Sequence, residues 1–153
     1  MNDLKIPSPL VGRPGYEEDL VGWMERQIEL LRMRKFDQLD LENLLGELEG
    51  MVRSERRALR SRLEVVTLHL LKYQFQPARR SRSWLATLGE QRRKVCLMLE
   101  DSPSLRPALG DYLEAGYPSV VKRASAQTGL PPSACPADCP YTVRQVLDED
   151  FLP

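Results

Sequence analysis

The chain has 153 residues, 42% of them apolar and 29% charged, and its 22 basic and 22 acidic side chains cancel. That length suits one domain with a core of its own, and the composition is ordinary for a soluble globular protein, not for a disordered or fibrous chain. The charge is unevenly spread: residues 1–52 carry a net of −5, residues 53–94 a net of +9 and residues 95–153 a net of −4. A basic middle between acidic flanks has two readings. Either the flanks fold over it and pair with it, or it presents a basic face to nucleic acid or another acidic partner.

Cys96, Cys135 and Cys139 are an odd number of thiols with one close pair, which is no disulfide framework. A reduced, cytoplasmic setting is therefore expected. The start, Met1 to Gly15, is polar and proline-rich and has no signal-peptide pattern. No run approaches the roughly 20 apolar residues of a membrane span, so no membrane partner is expected.

Residues 1–15 contain Pro7, Pro9, Pro14, Gly12 and Gly15 and read as a disordered or surface tail. Residues 16–153 read as a single all-helical domain. The first helix is predicted from Tyr16 to Arg34, with Leu20, Trp23, Met24, Ile28, Leu31 and Leu30 recurring on one face. Glu17, Glu18 and Asp19 sit at its start and Arg32, Arg34 and Lys35 at its end, the order the helix dipole favours.

After Phe36-Asp37-Gln38-Leu39, Asp40 is a candidate N-cap for the longest pattern in the chain. Leu41, Leu44, Leu45, Leu48, Met51, Val52, Leu59, Leu63, Val66 and Leu70 run to a stop at Pro77. A helix of that length spans about 54 Å, wider than a compact domain of this size, so it must bend or pair with a second chain. Gly46 and Gly50 are its weak point, each costing about 1 kcal/mol against Ala. From Arg53 to Arg62 the apolar stripe thins, and arginines cover most of the circumference.

A third helix is predicted from Ser81 or Ser83 to Glu100, buried through Trp84, Leu85, Leu88, Val95, Leu99 and Cys96, with Arg92, Arg93 and Lys94 making one side basic. Ser102-Pro103 opens a fourth carrying Leu105, Leu109, Tyr112 and Leu113. Pro118 is expected to break it after Gly116, and its second half ends at Gly129. Residues 129–141 are loop. Thr142 with Gln145 fits a capping box for a short last helix docked by Val143, Val146 and Leu147. The fold class expected is all-α: a helical bundle of two long antiparallel helices, shorter crossing helices and an extended C-terminal segment.

The segments Phe36 to Leu44, Arg53-Ser54-Glu55-Arg56-Arg57 and His69-Leu70-Leu71-Lys72-Tyr73-Gln74-Phe75-Gln76-Pro77 carry a family resemblance. It continues in Arg80-Ser81-Arg82-Ser83-Trp84, in Asp101-Ser102-Pro103-Ser104-Leu105, and in the ending from Cys139-Pro140-Tyr141 to Pro153. In that order they resemble the family named domain of unknown function twenty-nine, small all-helical bacterial proteins, over roughly Tyr16 to Pro153. The resemblance implies a helical fold and no established activity. It supplies no catalytic residues.

The stretch from Lys72 to Trp84 packs four cations and three aromatics into thirteen residues around Pro77. Lys72, Arg79, Arg80 and Arg82 with Tyr73, Phe75 and Trp84 are the candidate surface for a partner or for nucleic acid. Aromatics stack on bases and guanidinium forks hold phosphates, though no recognised binding motif is present. The plainer reading is an interhelical turn whose aromatics anchor the core and whose arginines pair with acids such as Glu42, Glu47 or Glu49.

His69, the one histidine, lies in the apolar run Val65 to Leu71 and lacks a carboxylate on its helix face; it reads as a core or rim residue before it reads as a base. Cys135 and Cys139 are two of the four ligands a tetrahedral zinc wants, and Cys96 and His69 would join them only by tertiary coincidence. No Glu-x-x-His pair, serine elbow or phosphate-cradling glycine loop is present, so no cofactor or metal is expected. The function expected is a non-enzymatic helical interaction module, a homo-oligomer or a binder of a protein partner. The alternative is a nucleic-acid-binding protein using the basic segment 53–94.

Overall fold

The computed structural model describes residues 15–153. The tail expected over residues 1–15 therefore lies, except for Gly15, outside the described residues. The chain forms two compact units, one ending at Met51 and one spanning Val52–Pro153. All regular structure among the described residues is helical: α1 (Leu20–Arg32), α2 (Leu41–Phe75), α3 (Arg82–Asp101), α4 (Leu109–Thr128) and α5 (Val143–Leu147), joined by short 3-10 turns. Helix α2 begins in the first unit and continues through the second.

In the first unit α1 starts later than its apolar pattern suggests. Asp19 is the N-cap, its carboxylate accepting the Gly22 N–H at 3.0 Å, so Glu17 and Glu18 precede the helix instead of forming its first turn. The helix ends at Arg32 because Arg34 turns left-handed at φ 56°, and the Lys35 N–H reaches back to the Leu30 carbonyl at 2.9 Å. The turn Phe36–Gln38 then delivers Asp40 as the N-cap of α2, as its position before the leucine run predicts.

Asp40 also ties the two helices together. It accepts the Trp23 indole N–H at 3.0 Å, and its own N–H donates to the Gln27 side chain at 2.9 Å. At the other end of the hairpin the Tyr16 hydroxyl donates to Glu47 at 2.6 Å, and the Tyr16 ring meets Trp23 edge-on at 5.0 Å. Among the described residues of this unit, the buried side chains are Trp23, Gln27 and Leu30, all on α1.

The second unit has a continuous core. Leu59, Leu63, Val66 and Leu70 recur at three- and four-residue steps on α2 and are all at most 1% exposed. Pro77 ends the helix where expected, and Ser81 caps α3 through the Trp84 N–H. Helix α3 returns antiparallel to α2: Arg62 meets Gln91, and farther along Lys72 lies over Trp84. Helix α4 then runs in the direction of α2, with Glu64 facing Arg123, Lys72 facing Gln127 and Gln76 bonded to the Thr128 carbonyl.

Three expectations for this unit need correction. Leu85, expected on the buried face of α3, is 41% exposed. Pro118 does not break α4, which is continuous from Leu109 to Thr128. The proline is solvent-exposed while Tyr117 and Val120 beside it are buried, so core packing holds the helix across one missing N–H. Gly116 serves instead as a close-approach point: a Cβ there would lie 3.0 Å from Glu64 Cγ on α2. Gly129, at φ 74°, is the expected left-handed stop.

A further correction concerns Arg92, read with Arg93 and Lys94 as making one side of α3 basic. It is 1% exposed and holds the C-terminal segment. Its guanidinium donates to the carbonyls of Val146 at 2.9 Å, Phe151 at 3.0 Å, Gln145 at 3.2 Å and Glu149 at 3.4 Å. Those carbonyls belong to the open end of α5 and the turn after it, which a helix cannot satisfy by itself. The expected capping box of Thr142 and Gln145 closes the other end of α5. Just before that cap, Tyr141 is buried and donates to Gln74 on α2 at 2.6 Å.

Candidate functional site

The stretch from Lys72 to Trp84 is brought together as the sequence suggests, and most of its groups are engaged inside the chain. Lys72 Nζ lies 4.5 Å above the Trp84 ring and donates to Gln127 at 3.2 Å; partial burial lowers its pKa from the ordinary lysine value. Arg80 donates to the Tyr73 carbonyl at 2.9 Å while its guanidinium sits 4.1 Å from the Tyr73 ring. Phe75 packs against the core. Arg79 and Arg82 are exposed. The aromatic faces that would stack on bases thus already carry cations or core contacts of this chain.

The pairing of the basic middle is largely local. Glu64 holds Arg60 at 3.2 Å and Arg123 at 3.5 Å, and Glu90 holds Lys94 at 2.9 Å and Arg93 at 3.2 Å. Those two cations keep the Glu90 carboxyl at about 2. Glu47, one of the acids proposed for the arginines, accepts the Tyr16 hydroxyl.

His69 is half-buried and its Nδ1 faces the Val65 carbonyl at 2.9 Å, so that nitrogen carries the proton. Burial lowers its pKa below the ordinary histidine value, and nearby Lys72 and Arg123 push the same way. Its charged neighbours are cations where a general base would want a carboxylate. Cys135 and Cys139 are half-buried free thiols held protonated by burial. Among the described residues no group of His, Cys, Asp and Glu is arranged to hold a metal ion.

An open groove of about 480 Å³ lies in the second unit between α4 and the loop before α5, lined by Leu113, Glu114, Tyr117, Asp138, Cys139 and Tyr141. Burial pushes the Tyr117 phenol to about 12 and the Tyr141 phenol higher. The Tyr117 hydroxyl is spent on the Pro136 carbonyl at 2.8 Å. The carboxylates of Glu114 and Asp138 and the thiol of Cys139 line the groove.

The feature that departs furthest from expectation is on the hairpin. The face read as one buried stripe of α1 divides in two. Trp23 and Leu30 turn inward, while Leu20, Val21, Met24, Ile28 and Leu31 are 37–66% exposed. On α2, Leu41, Leu45, Leu48 and Met51, read as part of one apolar pattern running to Pro77, are 57–64% exposed. On each helix the exposed stripe follows the contacting face in the same rotational sense. Because the helices are antiparallel, both stripes come to one side of the hairpin. The signal was in the sequence: an apolar arc on α1 too broad for one neighbouring helix, and Leu41, Leu45, Leu48 and Met51 at four-three-three spacing on α2.

No helix among the described residues is long and apolar enough to cross a membrane. No curated protein and no solved structure matches the chain. A family profile does match, from residue 16 to residue 152, spanning the hairpin, the helical core and the segment that Arg92 holds: the chain belongs to the family described as domain of unknown function DUF29.

Proposed function

We propose that this protein is a non-enzymatic helical interaction module, acting in the cytoplasm, which docks helical protein on the apolar side of its α1–α2 hairpin. The observation that carries the reading is the double stripe of exposed Leu, Ile, Val and Met on one side of a two-helix hairpin whose buried side chains, among the described residues, are Trp23, Gln27 and Leu30. Contiguous apolar patches of more than a few hundred Å² are rare on soluble monomers and mark interaction surfaces. A unit of about 50 residues has little room for a core of its own, and the chain's three cysteines lie outside it.

This supports a protein interface over a nucleic-acid surface at 53–94. There, Lys72, Arg80, Arg92, Arg93 and Lys94 already have partners in the chain.

The test is site-specific photocrosslinking in cells expressing the protein, with a photoreactive residue at Ile28 or Leu45 and at exposed Ala86 as control. Discrete adducts from positions 28 and 45, and none from 86, are expected. An absence of adducts at 28 and 45, or the same adducts from all three positions, would overturn the reading.

A further inference from the structure

We infer that the occupant of the hairpin face is a second copy of this chain, laid antiparallel across the first about a two-fold axis near Arg26. This rests on the interaction reading above and names its partner.

The stripe on α1 is self-complementary under reversal. An antiparallel copy centred on residue 26 sets Val21 opposite Leu31 and Met24 opposite Ile28, each pair twice by symmetry. All four side chains are exposed. The same reversal brings the turn just before α1, with exposed Glu17 and Glu18, to the turn just after the other copy's α1, with exposed Arg34 and Lys35. Acid therefore meets base at both ends of the helix pair. A parallel copy would set acid against acid and base against base, which is unfavourable.

The hairpin's geometry extends the match. Trp23 and Gln27 both reach Asp40, and Tyr16 reaches Glu47, so the start of α2 runs beside the first half of α1. The second copy's α1 then lies along the seam between the two stripes, with Leu41, Leu45 and Leu48 forming its other wall.

The area suffices. The nine apolar side chains of the two stripes, at 37–66% exposure, together expose as much as about five whole residues. At roughly 150 Å² for a large side chain this is on the order of 700 Å² per copy, against the roughly 800 Å² per partner of a standard stable interface.

The experiment is light scattering and sedimentation equilibrium on the purified full-length chain. The wild type should have twice the 17.5 kDa chain mass. Glu17→Lys/Glu18→Lys and, separately, Arg34→Glu/Lys35→Glu should each weaken self-association about tenfold. The quadruple variant carrying both reversals should regain wild-type affinity, because it swaps acid and base at both ends together. Circular dichroism confirms that each variant folds.

A wild-type dimer unaffected by either single-end reversal would overturn the antiparallel arrangement and leave the interaction reading standing. A wild-type chain that stays at 17.5 kDa at roughly 100 μM, where a micromolar interface is filled, would overturn the second copy as occupant. Crosslinks from positions 28 and 45 to a protein of another mass would then preserve the module with a different partner, and their absence would remove both.

Discussion

The two units are built from the same kind of helix and finish in opposite states. In residues 52–153, α2 meets neighbours on several sides, and Leu59, Leu63, Val66 and Leu70 disappear into a core shared with α3, α4 and the C-terminal segment. In the hairpin, α1 and the start of α2 pack against each other, and Leu41, Leu45 and Leu48 stay exposed. A helix carries an apolar arc wide enough for two neighbours or more. Two helices can cover only one flank of each other, whereas three with a clasping segment close the ring. The difference lies in the number of partners, not in the hydrophobicity of the stripe.

That comparison can be broken most forcefully at Arg92. Replacing it with Ala leaves the carbonyls of Gln145, Val146, Glu149 and Phe151 without a donor around a buried cavity. A loss of about 3 kcal/mol or more is expected, read as a fall in the urea midpoint, and Arg92→Lys should not restore it because an ammonium lacks the planar fork. A loss below about 1 kcal/mol would mean that the core stands without its clasp.

A smaller effect is expected from Asp40→Ala, which removes both the cap of α2 and the tie to Trp23. It should cost about 1–2 kcal/mol and speed amide hydrogen exchange in residues 20–45 while leaving residues 59–147 unchanged. Equal acceleration in both regions would show that the units open together.

The smallest test separates the units by pH. The folded state of residues 52–153 keeps the Tyr117 phenol neutral up to about 12, above its ordinary value near 10, and Tyr141 shifts the same way. A raised folded pKa gives stability that is complete below pH 10 and is lost as pH rises through 12. Alkaline titration should therefore melt this unit in that window. Tyr117→Phe should flatten the alkaline slope while costing about 1 kcal/mol at neutral pH through the lost bond to Pro136. A slope identical in wild type and variant would assign the alkaline transition to other groups.

Local chemistry determined much of this protein in advance. Asp40, Ser81, Thr142 with Gln145, Pro77 and Gly129 each act where their residue type and neighbours place them, since caps and stops depend on backbone groups a few residues away. The all-helical class follows from the same spacing, and family membership from segments legible in order along the chain. Tertiary structure decided what periodicity cannot carry. An apolar stripe on α1 and one on α2 look alike in sequence whether a neighbour covers them or not, because periodicity records which residues share a face and not what lies against it. Arg92 looks like any surface arginine until residues more than fifty positions away bring it carbonyls with no other donor. Pro118 reads as a helix break until packing on both sides holds the helix through it. The basic stretch at Lys72 to Trp84 was visible as composition, but only the fold set Lys72 over Trp84 and Arg80 over Tyr73, because those pairings depend on how α3 returns along α2 and how the chain turns at Pro77.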